Sequence, residues 1–356
     1  MQEKIGQMIM LGMDANYITE RTKIMITKYK IGGIILYRKN FRTYPEMLDL
    51  IAQLKELNKE NKIPLFIAID QEGGRVNRMP KEILNLPAAY KIAEKGGMAE
   101  VEKSAEIIGK MLKKSGYHMD FAPVLDIKRF ANNHAIGDRC YGENKEDVAK
   151  YGIAFMKKLQ EQGMISVTKH FPGHGTTQKD SHYFLPMIKG RIEDLEKGDM
   201  YPFEQAIKNG ADAVLVGHLL VKSVTGIYPA SLSRKFIGKY LRKKYRYNGL
   251  IITDDLKMRA IKYFYGVDLA VRKAFEAGND IIVFRFNKKK EVEIIEKMVC
   301  LLQEGKLNEG RVNRSVKRIL EMKEKYEISD DVKIEGIDIE QINTEIKKIR
   351  EKCDIK

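Results

Sequence analysis

Three of the six histidines in this chain fall in one short stretch. It reads K-H-F-P-G-H-G-T-T-Q-K-D-S-H-Y-F-L-P from Lys169 to Pro186, and it carries His170, His174 and His182. Imidazole is the side chain that titrates near neutral pH. A cluster of three therefore suggests acid–base or metal chemistry, the plainer alternative being three solvated or packed rings. The β-prone run 165–168 precedes the stretch, and no helix signal follows until about residue 191. This predicts a long loop at a strand end, from Lys169 onward. Such loops are usually functional or disordered. The apolar anchors Phe171, Tyr183, Phe184 and Leu185 argue for order.

A second chemical stretch is T-D-D-L-K-M at 253–258, with two adjacent carboxylates at a predicted strand end. Successive strand residues point to opposite faces. Asp254 and Asp255 are therefore expected to diverge, one entering a pocket and the other capping the helix expected from about 257. Spacing alone does not say which. In Asp180-Ser181-His182 the carboxylate could fix the imidazole's tautomer and stabilise its charged form, or merely close a turn. Ser181 lacks the G-x-S-x-G surround of a serine nucleophile. His170 and His174 are four apart, but Pro172 and Gly173 between them exclude a metal-binding helix. A metal-dependent hydrolase built on Asp126, Asp254, His170 and His218 stays open as an alternative.

The elements that must position these residues follow an alternating pattern. Short apolar runs at 7–11, 33–37, 65–69, 118–122, 165–168, 213–217, 250–253 and 281–284 predict strands. Between them, 43–58, 98–115, 145–163, 191–209, 232–245, 258–277, 289–303 and 308–325 have helical periodicity. Alternation predicts parallel pairing, and continuous apolar runs predict strands buried on both faces. Eight strands point to an α/β fold of one (β/α)8 TIM-type barrel over 1–328. A short C-terminal helical extension is expected over 329–356, with its helix at 339–352, packed on the barrel or partly loose. Polar residues end several predicted strands: Asp70, Asp126, Lys169 with His170, His218, and Asp254 with Asp255. In a (β/α)8 barrel that end holds the active site.

Composition narrows the function classes. Length 356, 44% apolar and 32% charged residues describe an ordinary globular chain. No apolar run is long enough for a membrane span. No signal peptide is evident, which predicts a cytoplasmic protein, or a secreted one if a leader was removed. Cys140, Cys300 and Cys353 are odd in number and scattered, consistent with a reducing compartment and without thiolate metal motifs. The net charge of +15 is spread along the chain, which favours solvated helix faces over a nucleic-acid footprint.

Taken together, K-H-F-P-G-H-G, D-S-H and L-P resemble the family-3 glycoside hydrolases, specifically the bacterial β-N-acetylglucosaminidase (β-hexosaminidase) branch acting on peptidoglycan fragments. Supporting segments are G-G-I-I-L-Y-R-K-N-F (32–41), D-Q-E-G-G-R-V-N-R (70–78), F-A-P-V-L-D-I (121–127), I-G-D-R-C-Y-G (136–142), P-A-S-L-S (229–233), T-D-D-L-K-M and A-G-N-D-I-I-V-F (277–284). The resemblance implies that Asp254 is the nucleophile, that His182 is the acid/base and that Asp180 is its partner. It implies that Asp70, Arg78, Arg139, Lys169 and His170 hold the terminal sugar. The departures are Thr176 after G-H-G, Cys140-Tyr141, Gly217-His218 and Lys257, and they bear on the aglycone more than on the chemistry. The implied reaction is retaining exo-hydrolysis through a glycosyl-Asp intermediate, with no metal or cofactor. A β-glucosidase or a phosphate-using variant of the same family is the alternative. A catalytically dead sugar-binding protein is disfavoured by retention of Asp254, Asp180 and His182 together. The expected partner is a small N-acetylglucosamine-terminated saccharide, without nucleic acid or membrane, and the expected assembly is a monomer or weak homodimer. Should His182 not be the acid/base, Glu72 or His174 is next in line.

Overall fold

A computed structural model describes residues 1–130, 133, 135–175, 185–188, 190–285, 290–331 and 333–355. Asp180, Ser181 and His182 lie outside the described residues.

Eight parallel strands form the centre: β1 (Ile9–Gly12), β2 (Gly33–Leu36), β3 (Phe66–Ile69), β4 (Met119–Asp120), β5 (Ile165–Phe171), β6 (Ala213–Val216), β7 (Leu250–Thr253) and β8 (Ile282–Phe284). Each pairs with its sequence neighbour, and β1 pairs with β8, as in Met10 with Gly33 and Ile9 with Ile282. A parallel bridge between Ile252 and Ile281, with the Thr253 N–H donating to the Ile281 carbonyl at 3.0 Å, joins β7 to β8 and closes the ring. Almost every strand residue is buried. That follows from helices covering the outside while side chains fill the inside, so the strands need apolar residues on both faces.

Several flanking helices begin where polar caps satisfy their first N–H groups. Thr43 caps Tyr44–Asn58, Asn144 caps Lys145–Glu161, and Asn308 caps Glu309–Lys325. The structure corrects several expected elements. Residues 2–7 form a helix (Gln2–Gln7), so the first strand starts at Ile9. A Thr19-capped helix, Glu20–Thr27, has too weak an apolar stripe to be anticipated. The stretch 191–209 is two helices, Ile192–Lys197 and Tyr201–Lys208. They are separated where Asp199 turns to pair with Arg129 at 3.0 Å. The stretch 258–277 breaks into Arg259–Tyr265 and Val267–Ala277 at Gly266, whose φ of +67° a side chain would strain.

The C-terminal helix Ile339–Lys352 is not loose. Ile342, Ile346, Ile349 and Cys353 are buried in the main core, and Lys352 pairs with Glu100 of the Gly97–Lys114 helix. No helix among the described residues is long and apolar enough to cross a membrane.

Candidate active site

The C-terminal ends of the strands surround a cavity of about 740 Å³. It receives Asp70, Arg78, Arg139, Lys169, His170 and Asp254, so every residue that the resemblance implies for nucleophile or sugar contact faces one space.

Lys169 and His170 are not on a loop. β5 continues through Phe171, which pairs with Val216 of β6 while its carbonyl accepts from Gly217 N at 2.9 Å. The Lys169–His170 and Phe171–Pro172 peptides are cis. The strand then turns at Gly173, whose φ is +114° and where a Cβ would meet Asp199 Cβ at 2.6 Å.

Lys169 is 2% exposed and sits among carboxylates. Its Nζ lies 2.8 Å from Asp70 Oδ1 and also contacts Glu72 Oε1. Burial disfavours the ammonium, but Asp70 and Glu72 outweigh it and hold Lys169 above the usual lysine range. Arg139 grips Glu72 from the other side, Nε to Oε2 at 2.8 Å and Nη2 to Oε1 at 2.7 Å. Burial works against the Glu72 carboxylate, yet Arg139 and Lys169 hold it well below the usual range. Glu72 is therefore ionised with both oxygens engaged, and it is withdrawn as a fallback acid/base. Its role is to hold two cations in place. The turn that delivers it needs Gly73 and Gly74, at φ +85° and +53°, because side chains there would run into Pro87 and Ala88. Arg78 comes from the same segment. Its backbone N–H donates to Gln71 Oε1, and its Nε is buried without a hydrogen-bond partner among the described residues.

Asp126 organises the histidines. It is fully buried and accepts three bonds: His170 Nδ1 at 2.7 Å, His170 N at 3.2 Å and His174 N at 2.6 Å. Burial opposes its charge, but His170 and His174 pull it below the usual carboxylate range. His174 also lines the cavity, and burial draws its imidazole down.

Asp254 and Asp255 both line the cavity, so the expected divergence fails. Both lie past the end of β7, where strand alternation no longer applies. Asp254 Oδ1 accepts the N–H of Asp255 at 2.8 Å. Asp255 Oδ1 accepts the N–H of Lys257 at 2.9 Å, closing a turn rather than capping a helix. Burial pushes Asp255 up to about 6.

The quartet of a metal reading does not converge. Both oxygens of Asp126 are taken by N–H groups, and His218 turns its two nitrogens to Ser231 Oγ and the Asp255 carbonyl. Among the described residues no group of three or more His, Cys, Asp or Glu is placed to hold a metal.

Sequence reasoning missed Tyr37 and Arg285, which also line the cavity. Arg285 lies 4.9 Å over the Tyr37 ring and 3.9 Å from Asp255. Each directly follows a barrel strand, and that position was the available signal.

The sequence pattern described as "Glycosyl hydrolase family 3 N terminal domain" matches residues 1–322. "Beta-hexosaminidase A" of Pseudoalteromonas piscicida is 32% identical over 328 residues, covering 85% of this chain and 54% of that one. The chain thus spans about half the length of that relative. "Beta-hexosaminidase" of Neisseria meningitidis serogroup C (strain 053442) is 34% identical over 283 residues, 78% of this chain and 77% of the relative. Among solved structures, a glycoside hydrolase family 3 beta-N-acetylglucosaminidase from Paenibacillus sp. str. FPU-7 superposes with a TM-score of 0.93 at 33% identity. The match covers 99% of this chain and 68% of that one. NagZ from Neisseria gonorrhoeae in complex with N-trifluoroacetyl-D-glucosamine gives 0.76 at 28% identity, covering 97% and 98%.

Proposed function

The chain belongs to glycosyl hydrolase family 3, and from that premise we propose that it is a retaining exo-β-N-acetylglucosaminidase. The observation that carries this reading is the placement of the Asp254 carboxylate in the same cavity as Asp70, Arg78, Arg139, Lys169 and His170. A nucleophile facing a set of fixed hydrogen-bonding groups is what attack on one bound terminal sugar requires.

In the first step Asp254 attacks the anomeric carbon and forms a glycosyl ester as the aglycone oxygen leaves. His182, oriented by Asp180, gives that oxygen its proton. In the second step neutral His182 takes a proton from water, which attacks the anomeric carbon, breaks its bond to the Asp254 oxygen and frees the carboxylate. Asp70 and Lys169 hold ring hydroxyls as a charged pair, and charge-assisted bonds of this kind are strong and directional. His170, oriented by Asp126, adds a further polar contact. Arg78 and Arg139 supply N–H donors for hydroxyls and the acetamido oxygen.

The natural substrates of this reading are peptidoglycan fragments or chitooligosaccharides ending in N-acetylglucosamine, processed in the cytoplasm. The catalytic unit is assigned to 1–328, with 329–356 as an extension of it.

A panel of aryl β-glycosides tests the reading. The N-acetyl-β-glucosaminide should be cleaved far faster than the β-glucoside, because a site built to hydrogen-bond a group rejects the analogue lacking it. Equal rates would favour a β-glucosidase. Sugar 1-phosphate as the main product in phosphate buffer would favour phosphorolysis.

A further inference from the structure

We propose that His218 is a positioning residue for the nucleophile, acting through the peptide backbone of Asp255. The inference rests on Asp254 being the nucleophile.

His218 directly follows Gly217 at the end of β6 and is 1% exposed. Its Nε2 lies 3.2 Å from the Asp255 carbonyl oxygen. A carbonyl only accepts, so Nε2 carries the hydrogen. In a neutral ring Nδ1 is then bare and accepts. Its partner at 2.7 Å is Ser231 Oγ, which must donate. Ser231 is itself held, its carbonyl accepting from Asn279 Nδ2 at 2.9 Å, and the same Asn279 amide donates to Ala274 O at 2.8 Å. Ser231 and Asn279 are fully buried. With a neutral ring the sense runs from Ser231 Oγ to His218 Nδ1 and from His218 Nε2 to the Asp255 carbonyl, while Asn279 holds Ser231 separately through its backbone carbonyl.

The relay ends beside the reacting carboxylate. The Asp255 residue whose carbonyl His218 holds is the one whose N–H donates to Asp254 Oδ1 at 2.8 Å. The Asp254 N–H meanwhile donates to Val216 O at 3.1 Å, two residues before His218. So Val216 at the end of β6 and His218 just beyond it hold the nucleophile turn on both sides of Asp254. The held carbonyl belongs to the Asp255–Leu256 peptide, and the N–H that orients the carboxylate belongs to the preceding Asp254–Asp255 peptide. The bond therefore acts across the Asp255 Cα: fixing that carbonyl limits the φ and ψ of Asp255 and with them the direction of its N–H. Three segments that carry the family resemblance, P-A-S-L-S, T-D-D and A-G-N-D, thus meet at His218, which belongs to one of the departures, in one set of hydrogen bonds. The sugar-holding residues Asp70, Arg78, Arg139, Lys169 and His170 stand outside it.

That separation yields a test. His218→Leu removes the bond to Asp255, and a displaced nucleophile costs on the order of 100-fold in rate. The expected result is a kcat on aryl N-acetyl-β-glucosaminide down by about that factor, with the inhibition constant for free N-acetylglucosamine within about twofold of the parent. His218→Gln, whose amide N–H reaches toward the same carbonyl, should recover about tenfold of the loss. Ser231→Ala, a smaller change, should lower kcat less. It should add nothing further in the His218→Leu background, because members of one chain are not additive. A 5-fluoro glycosyl fluoride of N-acetylglucosamine, which traps the covalent intermediate, should label more slowly in each variant.

Kcat and product affinity falling together, in step with the melting temperature, would overturn the positioning role. So would an unchanged trapping rate in Ser231→Ala and His218→Gln, which remain informative if His218→Leu does not fold. Peptide mapping of the trapped parent enzyme reports on the premise separately. Label on a residue other than Asp254 refutes the nucleophile assignment and the proposal with it. Label on Asp254 with unaltered trapping in the variants refutes the proposal alone.

Discussion

At the scale of single residues, two adjacent aspartates share one cavity and differ in environment. Asp254→Asn should abolish nearly all turnover while the fold persists, since loss of a nucleophile costs many orders of magnitude. More than about a hundredth of the activity remaining would contradict the assignment. Asp255→Asn should be milder, because Asn still accepts from Lys257 N and keeps the turn. It should also change stability with a definite sign. Asp255 titrates at about 6 in the folded chain, above its ordinary value of 3.8. A raised carboxyl contributes stability at low pH that is lost as pH rises through the folded value. The asparagine variant should therefore melt higher than the parent at pH 7.5. The gain should shrink towards pH 4 and be gone by about pH 3, where the aspartate is neutral in the folded and the unfolded chain alike. A gain that persists at about pH 3 would point to packing instead. For His182 the discriminating variable is the leaving group. His182→Ala should lose about 10²–10⁴-fold on a disaccharide. On an activated aryl substrate it should still form the covalent intermediate and then stall, showing a burst, and azide should restore turnover by attacking without base help. Equal damage on all substrates, with no azide rescue, would leave the acid/base unassigned.

At the scale of elements, a single buried carboxylate joins β4's exit loop to β5. Asp126 accepts from the His170 ring, the His170 N–H and the His174 N–H. Asp126→Asn leaves one acceptor oxygen where two worked and loses the charge that orients His170. The expected effect is a 10- to 100-fold fall in kcat/KM, mostly through KM, with a lower melting temperature; an unchanged KM would show that His170 needs no orienter. This region also shows what was legible and why. Strand positions came through well, since buried parallel strands need apolar runs and little else produces them. The end of β5 did not, because Lys169 and His170 interrupt the apolar pattern. They are polar and line the cavity, so the residues that hide the end of the strand are the ones that mark the cavity. Helix breaks at Gly198–Met200 and Gly266 were missed because periodicity persists across them. What breaks the first is the tertiary pairing of Asp199 with Arg129. Glu72 was visible only as a carboxylate in a Gly-rich turn. That it locks Arg139 and Lys169 depends on residues 67 and 97 positions away, which no local pattern encodes.

At the scale of the whole molecule, the barrel has a second polar assembly at the end opposite the cavity. Lys323 of the Glu309–Lys325 helix is buried, and periodicity alone would place it with the solvated lysines around it. Its Nζ instead donates to Gln7 Oε1 at 2.8 Å, Gly32 O at 3.1 Å and Pro64 O at 2.6 Å, with the Phe66 ring 4.6 Å away. Gly32 and Pro64 precede β2 and β3, and Gln7 precedes β1. One ammonium thus ties the last barrel helix to the starts of three strands. Three N–H donors match three oxygen acceptors, but all three are neutral, and burial draws Lys323 down to about 7. The ordinary value is 10.5, so between roughly pH 7 and pH 10.5 the unfolded chain binds the extra proton. Stability should therefore climb with pH across that window. The net charge of +15 adds a climb of its own, because raising pH relieves repulsion among exposed lysines. The contrast with Lys323→Met separates the two. Methionine keeps most of the volume and does not titrate, so the variant retains the general climb and lacks the local one. Denaturant unfolding at pH 7 and pH 9 should show a larger gain for the parent than for Lys323→Met. At pH 7 the variant should also be less stable by about 1–3 kcal/mol, the cost of leaving buried acceptors without donors. Equal gains in the two proteins would mean that Lys323 stays charged throughout, its three oxygens outweighing its burial.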